Sequence, residues 1–258
     1  MLLTADYHTH TTFSHGKGSI LDNALSAKEK GLKKIAITDH SYGHTVYGIS
    51  HKKVPLMKRL CQEASEKTGV EVILGVETNI LGISGKTDMR PDDMQYMDLY
   101  LAGIHKFITY DKLKEWYLLL TKNFLARKII KPSESLIKRN TEVYINAIKN
   151  NPIDILAHPG YSVFINAKEV AKCCADYGTI FEIDARKVHL TDEEWFEVAK
   201  TGVNFVIDSD AHSPEKIGYT GDVEALIKRA EIPRDKILNI DGKEPKSFRF
   251  LEYKKKNL

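Results

Sequence analysis

Three histidines fall close together near the start of the chain, in the segment DYHTHTTFSHG over residues 6–16. The short apolar stretch before them is typical of a strand, in which successive side chains alternate between faces, so His8 and His10 point the same way and can bind one cation. His15 follows in a turn containing Ser and Gly, where it can fold back over the same place. A single histidine is usually structural, whereas an H-x-H pair with a third histidine nearby is typical of metal ligands.

The composition is that of an ordinary globular chain with a sizeable core: 258 residues, 42% hydrophobic and 28% charged. The net charge of +3 (38 basic minus 35 acidic residues) is too small to indicate nucleic acid or a membrane by itself. We find no apolar run approaching the roughly 18 residues of a membrane span and no pattern of a secretory signal, so we expect a cytoplasmic protein without membrane contact. The three cysteines are expected to pack within helices.

Apolar strand patterns alternate with helical patterns along the whole chain. After the first strand, we predict strands at 33–38, 71–76, 98–104, 153–157, 179–183 and 203–207. Ser19, Asn166 and Thr191 are predicted helix caps. The alternation predicts an α/β fold, and the strand number favours a barrel. We expect one domain over residues 1–258, with a helical insertion at about 106–150 and a basic, frayed tail at about 248–258.

Each of the seven predicted strands ends in a histidine or an acidic residue, and in α/β barrels functional residues collect at these carboxyl ends. Imidazole and carboxylate ligands suit zinc, manganese or iron. Nine such ligands are too many for one ion and suit two or three. Clustered cations activate water and bind a phosphoryl group, so hydrolysis of a phosphate ester is the leading chemistry, with deamination or amide hydrolysis as its rival. The nine candidates are His8, His10, His15, His40, Glu77, His105, His158, Asp210 and His212.

The motifs that carry these residues resemble the PHP (polymerase and histidinol phosphatase) superfamily from Asp6 to about Gly218. They are HTH at 8–10, TDH at 38–40, GVE at 75–77, GIH at 103–105, AHP at 157–159 and SDAH at 209–212. The resemblance implies a distorted seven-stranded (β/α) barrel with three divalent metal ions at the strand C-termini. It assigns one metal to His8, His10, Glu77 and Asp210, a second to Glu77, His105 and His158, and a third to His15, His40 and His212.

Other polar residues near these motifs are candidates for supporting roles. Asp39 and Glu182 are expected to orient metal ligands. Arg186 and Lys187 either meet a substrate phosphate or belong to a solvated loop. Asp184 stands where relatives often have Asn, and it either supports the ligands or alters substrate choice. His189 is expected to be a surface residue.

Residues 106–139 contain nine Lys or Arg against three acidic residues, together with several aromatic residues. This segment could be a lid for a phosphorylated substrate or a nucleic-acid contact. The interpretation that we favour is an amphipathic helix with a charged outer face, apolar at Trp116, Leu119, Leu120 and Leu125.

The resemblance and the ligand set together predict a metal-dependent phosphoesterase that acts on a small phosphate monoester, with histidinol phosphate as one possibility. The alternative is a nuclease that acts on DNA or RNA ends, which would require nucleic-acid binding. A regulatory metal-binding domain without turnover is a third interpretation, disfavoured because the ligand set is intact.

Overall fold

The computed structural model describes residues 1–129 and 131–258. Seven strands form one sheet in the order β1 to β7, and every neighbouring pair is parallel. This is the predicted (β/α) barrel, which is therefore confirmed. The strands are β1 Ala5–Thr9, β2 Lys34–Ile37, β3 Glu71–Asn79, β4 Leu99–Gly103, β5 Ile155–Leu156, β6 Ile180–Asp184 and β7 Phe205–Asp208.

Helices connect the strands, and three of them begin where the sequence predicts caps. The hydroxyl of Ser19 accepts a hydrogen bond from the Asp22 N–H, and the Asn166 and Thr191 side chains cap two later helices in the same way. The described α-helices are α1 Ile20–Glu29, α2 Val54–Thr68, α3 Leu113–Glu115, α4 Lys122–Lys128, α5 Glu134–Asn150, α6 Ala167–Tyr177, α7 Asp192–Ala199, α8 Val223–Arg229 and α9 Arg249–Asn257.

Side chains close most of the gap between the first and last strands. The Tyr7 N–H donates to Asp208 Oδ1 at 2.7 Å. The Asn239 amide donates to the carbonyl oxygens of Ala5 and Ile207, at 2.9 and 2.7 Å. The last strand therefore meets the first, and the carboxyl ends of all seven strands surround one place.

A small apolar cluster fills the inner face of the sheet. Leu101 pairs in register with Glu77, and Val206 pairs with Glu182, so the cluster shares its face with these two acidic residues. The two carboxylates therefore lie next to buried apolar side chains. The buried members of the cluster are Ala5, Tyr7, Ala36, Leu99, Leu101, Ile155, Ile180, Val206 and Phe248.

The C-terminal tail is ordered, and the expectation that it frays is wrong. Phe250 is fully buried, and its N–H donates to Asp154 Oδ1 at 2.8 Å. The Arg249 guanidinium donates to Thr179 Oγ1 at 2.6 Å. The basic composition of the tail hid these anchors, since few of its residues carry them.

The insertion consists of α3, a π-helical turn at Trp116–Thr121, α4 and α5. Its first part departs from the amphipathic pattern that we favoured. Leu119 is buried as expected, but Trp116 is 47% exposed, and the buried side also contains Glu115 and Asn123. No described helix is long and apolar enough to cross a membrane.

Candidate metal centre

The structure brings all nine predicted ligands to the carboxyl ends of the strands. Their donor atoms form four overlapping groups, and the atoms within each group lie within 4.8 Å of one another. Each of these groups could hold an ion. They are His10, His15, His40 and His212; His8, His10 and Asp210; His8, Glu77 and His158; and His40, Glu77 and His105.

Glu77, in β3, is the centre of this cluster. Its Oε1 atom lies 2.7 Å from His158 Nε2, 2.9 Å from His105 Nε2 and 3.3 Å from His8 Nε2. Its Oε2 atom lies 2.7 Å from His40 Nδ1. Both carboxylate oxygens therefore face imidazole nitrogens, an arrangement suited to a carboxylate that bridges two cations.

Glu182 fixes the orientation of His8. Its Oε1 atom lies 2.7 Å from His8 Nδ1, and its other oxygen accepts the backbone N–H of His158. Because the carboxylate only accepts, Nδ1 of His8 carries the proton. The Nε2 atom of His8 is then directed at Glu77, with its lone pair available for a cation.

Asn79 plays the same part for His105. Its Oδ1 atom lies 2.7 Å from His105 Nδ1, and its amide nitrogen donates to Ser41 Oγ and to Asp88 Oδ2 at 3.0 and 2.7 Å. Sequence analysis missed Asn79. The signal was present, because Asn79 lies two residues after Glu77 and so shares its face of the strand.

Several buried ligand atoms have no hydrogen-bond partner among the described residues, although buried polar atoms in proteins rarely lack one. Three of them, His8 Nε2, His40 Nδ1 and Glu77 Oε2, lie around the Glu77 carboxylate, and carboxylate oxygens and imidazole nitrogens are suitable metal donors. The site therefore fits divalent cations. The full set of buried ligand atoms without a partner is His8 Nε2, His10 Nδ1, His15 Nδ1, His40 Nδ1, Glu77 Oε2 and His158 Nδ1.

The charge states of three of the predicted ligands, Glu77, His10 and His15, favour metal binding. Burial by itself raises the pKa of Glu77, but the neighbouring imidazoles outweigh it and hold that pKa well below its usual range. Burial and nearby imidazoles lower the pKa of His15 to about 3 and that of His10 well below its ordinary value. The carboxylate is thus ionised and these imidazoles are neutral, which are the forms that bind metal.

Two of the predicted ligands have unusual backbone conformations. His158 and Asp210 have φ angles of 31° and 44°, in the left-handed region that side chains rarely adopt. Such strain is concentrated at functional sites, where the surrounding structure enforces it. Space around His158 is also restricted, because a Cβ atom at Gly103 would lie 2.6 Å from its Cε1 atom.

Asp39 supports the loop between His10 and His15 and makes no direct contact with either imidazole. Its carboxylate accepts the backbone N–H and the hydroxyl of Thr11, at 2.7 and 2.6 Å, and also the Ser14 hydroxyl. These bonds hold the turn that returns His15 to the cluster.

The loop after β6 brings Arg186 into the site but not Lys187. Arg186 Nη1 donates to Asp210 Oδ2 at 2.7 Å, whereas Lys187 is exposed and its side chain has no hydrogen bond or ion pair within residues 1–129 and 131–258. Asp184 is buried and accepts the Arg186 N–H at 2.8 Å, so it shapes this loop.

His189 is not the surface residue that we expected. Its imidazole is mostly buried, 3.8 Å from Asp184, and it packs against the ring of Tyr161 with centroids 5.0 Å apart. Tyr161 in turn packs on His158. His189 is an isolated histidine in a loop, so no pattern in the sequence indicated that it would be buried.

Two aromatic rings from the loop after β2 cover the cluster. His44 stacks on His40, with centroids 4.7 Å apart, and Tyr47 stacks on His15 at 4.5 Å. They limit the access of water to these two imidazoles from one side.

A cavity of about 290 Å³ opens beside the cluster. Three cationic side chains line it, those of Lys17, Arg186 and Lys216, together with Ser209, Asp210, His212, Ser213 and Tyr219. A larger cavity of about 590 Å³ lies between the end of α4 and the start of α7, and no predicted metal ligand lines it.

Comparison with known proteins matches residues 6–188 to the PHP domain family. A protein of Thermoanaerobacter sp. (strain X514) named "Probable phosphatase" is 32% identical, over 100% of this chain and 98% of the relative. A "Probable phosphatase" of Shewanella sp. (strain MR-4) is 28% identical, over 93% of this chain and 88% of the relative.

Among solved structures, the histidinol phosphate phosphatase of Lactococcus lactis subsp. lactis Il1403, complexed with zinc, L-histidinol and phosphate, has a similar fold. The TM-score is 0.59 at 15% identity, over 90% of this chain and 95% of that chain. The family match spans well over half of the sequence, which confirms the resemblance inferred from the motifs. The chain belongs to the PHP family and is a hydrolase, a metal-dependent phosphoesterase.

Proposed function

We propose that this protein hydrolyses a small phosphate monoester at a site that holds three divalent metal ions. The observation that carries the proposal is the set of buried ligand atoms without hydrogen-bond partners in the described residues, with Glu77 Oε2 and the facing nitrogens of His8 and His40 among them. The donors are imidazoles and carboxylates, which suit zinc, manganese or iron. The whole chain, residues 1–258, would form the single domain that carries this site.

The ligands divide among the three ions as the family pattern implies. His8, His10, Glu77 and Asp210 would hold one ion. A second would lie with Glu77, His105 and His158, and a third with His15, His40 and His212. The donor groups overlap at His8, His10, His40 and Glu77, which supports closely spaced ions that share ligands. When bound, such ions lower the pKa of water towards neutrality and neutralise charge on a phosphoryl group.

The protein side chains supply orientation and substrate binding. Glu182 holds His8 in the tautomer that offers Nε2, and Asp39 holds the turn before His15. Arg186, on the edge of the cluster, can exchange its bond to Asp210 for bonds to a substrate phosphate, since a guanidinium binds two phosphate oxygens at once.

The cavity beside the cluster indicates the size and charge of the substrate. A volume of about 290 Å³ suits a small molecule. Lys17 and Lys216 on its wall favour an ester whose remaining part is neutral or anionic. The Lactococcus enzyme was crystallised with L-histidinol, so histidinol phosphate is a candidate substrate, but its amine would meet these two cations.

The test is phosphate release by protein reconstituted with zinc, manganese or iron. The panel contains small monoesters (histidinol phosphate among them), bis(p-nitrophenyl) phosphate and single-stranded DNA. We expect turnover of a subset of the monoesters and negligible cleavage of the diester and of DNA. Cleavage of the diester or DNA alone would replace this proposal with a nuclease function.

A further inference from the structure

The first helical part of the insertion exposes several large apolar side chains to solvent. Leu113 is 88% exposed and Phe124 is 58% exposed, and Trp116 and Tyr117 are each close to half exposed. Trp116 and Tyr117 follow Leu113 at helical spacings of three and four residues, and Phe124 is exposed beyond the π-helical turn at Trp116–Thr121. We call these four residues, together with Phe107 and Ile129 at the ends of the segment, the outer face.

The opposite side of this segment contains the buried Leu119 and two buried polar residues, and hydrogen bonds attach it to the rest of the fold. Glu115 is buried and accepts two hydrogen bonds from the Arg139 guanidinium, at 2.6 and 2.7 Å, and one from the Ile83 N–H. Asn123 is buried and accepts bonds from the Asn140 amide and the Phe164 N–H. These bonds fix the rotation of the segment, so its apolar side faces outwards as part of the fold.

The charges around the outer face are almost all positive. Between residues 106 and 139, the exposed acidic residues of the described chain are Asp111 and Glu134, since Glu115 is buried in its pair with Arg139. The exposed basic residues are Lys106, Lys112, Lys114, Lys122, Arg127, Lys128, Lys131 and Lys138. The segment therefore combines an apolar stripe with a strongly basic surround.

We infer that the outer face binds an anionic lipid surface, with its apolar side chains at the headgroup boundary and its lysines on lipid phosphates. Apolar residues surrounded by Lys and Arg are typical of helices that lie in a membrane interface. Binding of a second copy of the chain through the same face would place two positively charged surfaces against each other, which is unfavourable. Single-stranded nucleic acid would stack on the aromatic rings, but Leu113 and Ile129 offer it nothing to stack on. A peripheral contact of this kind needs no membrane-spanning helix.

The two tryptophans of the chain allow a direct test. Trp116 lies on the outer face, whereas Trp195 is only 2% exposed and should not respond to lipid. Metal-reconstituted protein is mixed with vesicles of phosphatidylglycerol and phosphatidylcholine, or of phosphatidylcholine alone. We expect flotation with the anionic vesicles at low salt, a blue shift of the tryptophan emission, and release of the protein at high salt.

Variants distinguish binding through the outer face from nonspecific adsorption to the vesicles. Leu113→Ser combined with Phe124→Ser should weaken vesicle binding at least about tenfold, because both apolar side chains enter the interface. Leu25→Ser, on the exposed face of α1, is the matched control and should bind like the wild type. Trp116→Phe should bind but lose the emission shift. Phosphatase activity on a soluble ester should persist in all of these variants, which confirms that they are folded.

Three outcomes would overturn the inference. The first is an absence of flotation with anionic vesicles at low salt. The second is unchanged binding by the Leu113→Ser/Phe124→Ser protein. The third is a wild-type dimer that this double substitution converts to monomer, which would assign the outer face to a second copy of the chain.

Discussion

Glu182 accepts a hydrogen bond from His8 through one carboxylate oxygen, at 2.7 Å, and holds the backbone of His158 through the other. One buried side chain thus sets the tautomer of an imidazole from β1 and the position of the residue that follows β5. Since His8 and His158 both contact Glu77, the carboxylate of Glu182 controls the geometry on one side of the cluster.

Glu182→Gln should therefore weaken metal binding without unfolding the protein. The amide keeps one acceptor oxygen, but its NH₂ group must then face either the His8 Nδ1–H or the His158 N–H. We expect a 10- to 100-fold loss of metal affinity, the usual effect of losing such a supporting contact. Titration with a competing chelator measures this loss, and Glu66→Gln, on the exposed side of α2, is the matched control. A metal affinity of the Glu182→Gln protein equal to that of the wild type would show that Glu182 does not support the metal ligands.

Gly103→Ala tests the packing of His158. An added methyl group would lie 2.6 Å from His158 Cε1, so the imidazole must move. His158 also lies 2.7 Å from Glu77 and packs against Tyr161, which leaves it little room. We expect activity to fall at least about tenfold, because ångström-scale displacement of a positioned group has effects of this size.

The measurement for Gly103→Ala is turnover together with metal content per chain. Gly202→Ala provides a stability control, because that glycine has open space around it but a positive φ of 79°. Gly202→Ala should lower the melting temperature and leave the metal content unchanged. Full turnover in Gly103→Ala would mean that the position of His158 is not critical.

The sequence predicted the barrel well because each strand ends in a residue that marks its carboxyl end. Glu77 and His105 could be placed at the site from their motifs alone. The spacing of Asn79 from Glu77 places it on the same face of the strand, but its contact with His105 could not be predicted, since the orientation of its amide depends on Ser41 and Asp88 from other loops. The exposure of Trp116 was also unpredictable, because a helical spacing identifies a face but not the direction in which the face points.

Arg186 and Lys187 are adjacent, and the structure predicts that only the substitution of Arg186 changes KM. Arg186 contacts Asp210 at the cavity, whereas Lys187 points to solvent. Arg186→Ala should raise KM for the phosphate monoester about tenfold or more, the loss expected for a charged hydrogen bond to phosphate. Lys187→Ala should leave KM within about twofold, as expected for a screened surface charge.

Inhibition by inorganic phosphate distinguishes binding of the phosphate from binding of the rest of the substrate. Arg186→Ala should weaken phosphate inhibition in parallel with KM. If Arg186→Ala and Lys187→Ala change KM and phosphate inhibition equally, these residues act through long-range charge and not through direct contact with the substrate. If only KM rises while phosphate inhibits as before, Arg186 contacts another part of the substrate.

Asp154 should make stability depend on pH, and it does so away from the metal cluster. It is buried where β5 begins and accepts backbone N–H groups of Tyr100 and Phe250, at 2.9 and 2.8 Å. Burial raises the pKa of its carboxyl to about 7, from about 3.8 when exposed, although these hydrogen bonds oppose the rise. The folded state thus holds a proton that the unfolded chain releases, so stability falls as pH rises from about 4 through about 7.

The free energy of unfolding, measured with urea on metal-free protein at pH values across this range, tests the prediction. From pH 5 to 8, the wild type should lose about 2–3 kcal/mol more than Asp154→Asn, because each unit of pKa shift corresponds to about 1.4 kcal/mol. Asp154→Asn should be less stable at every pH, since its NH₂ group would face one of the two backbone N–H donors. The pH dependence of its free energy of unfolding should lack the contribution of the Asp154 carboxyl. Asp154 touches no predicted metal ligand. The difference between the pH slopes of the wild type and of Asp154→Asn therefore reports the protonation of Asp154 alone. Parallel slopes would show that Asp154 is already ionised in the folded protein, held so by its two N–H donors and the charge of Arg249.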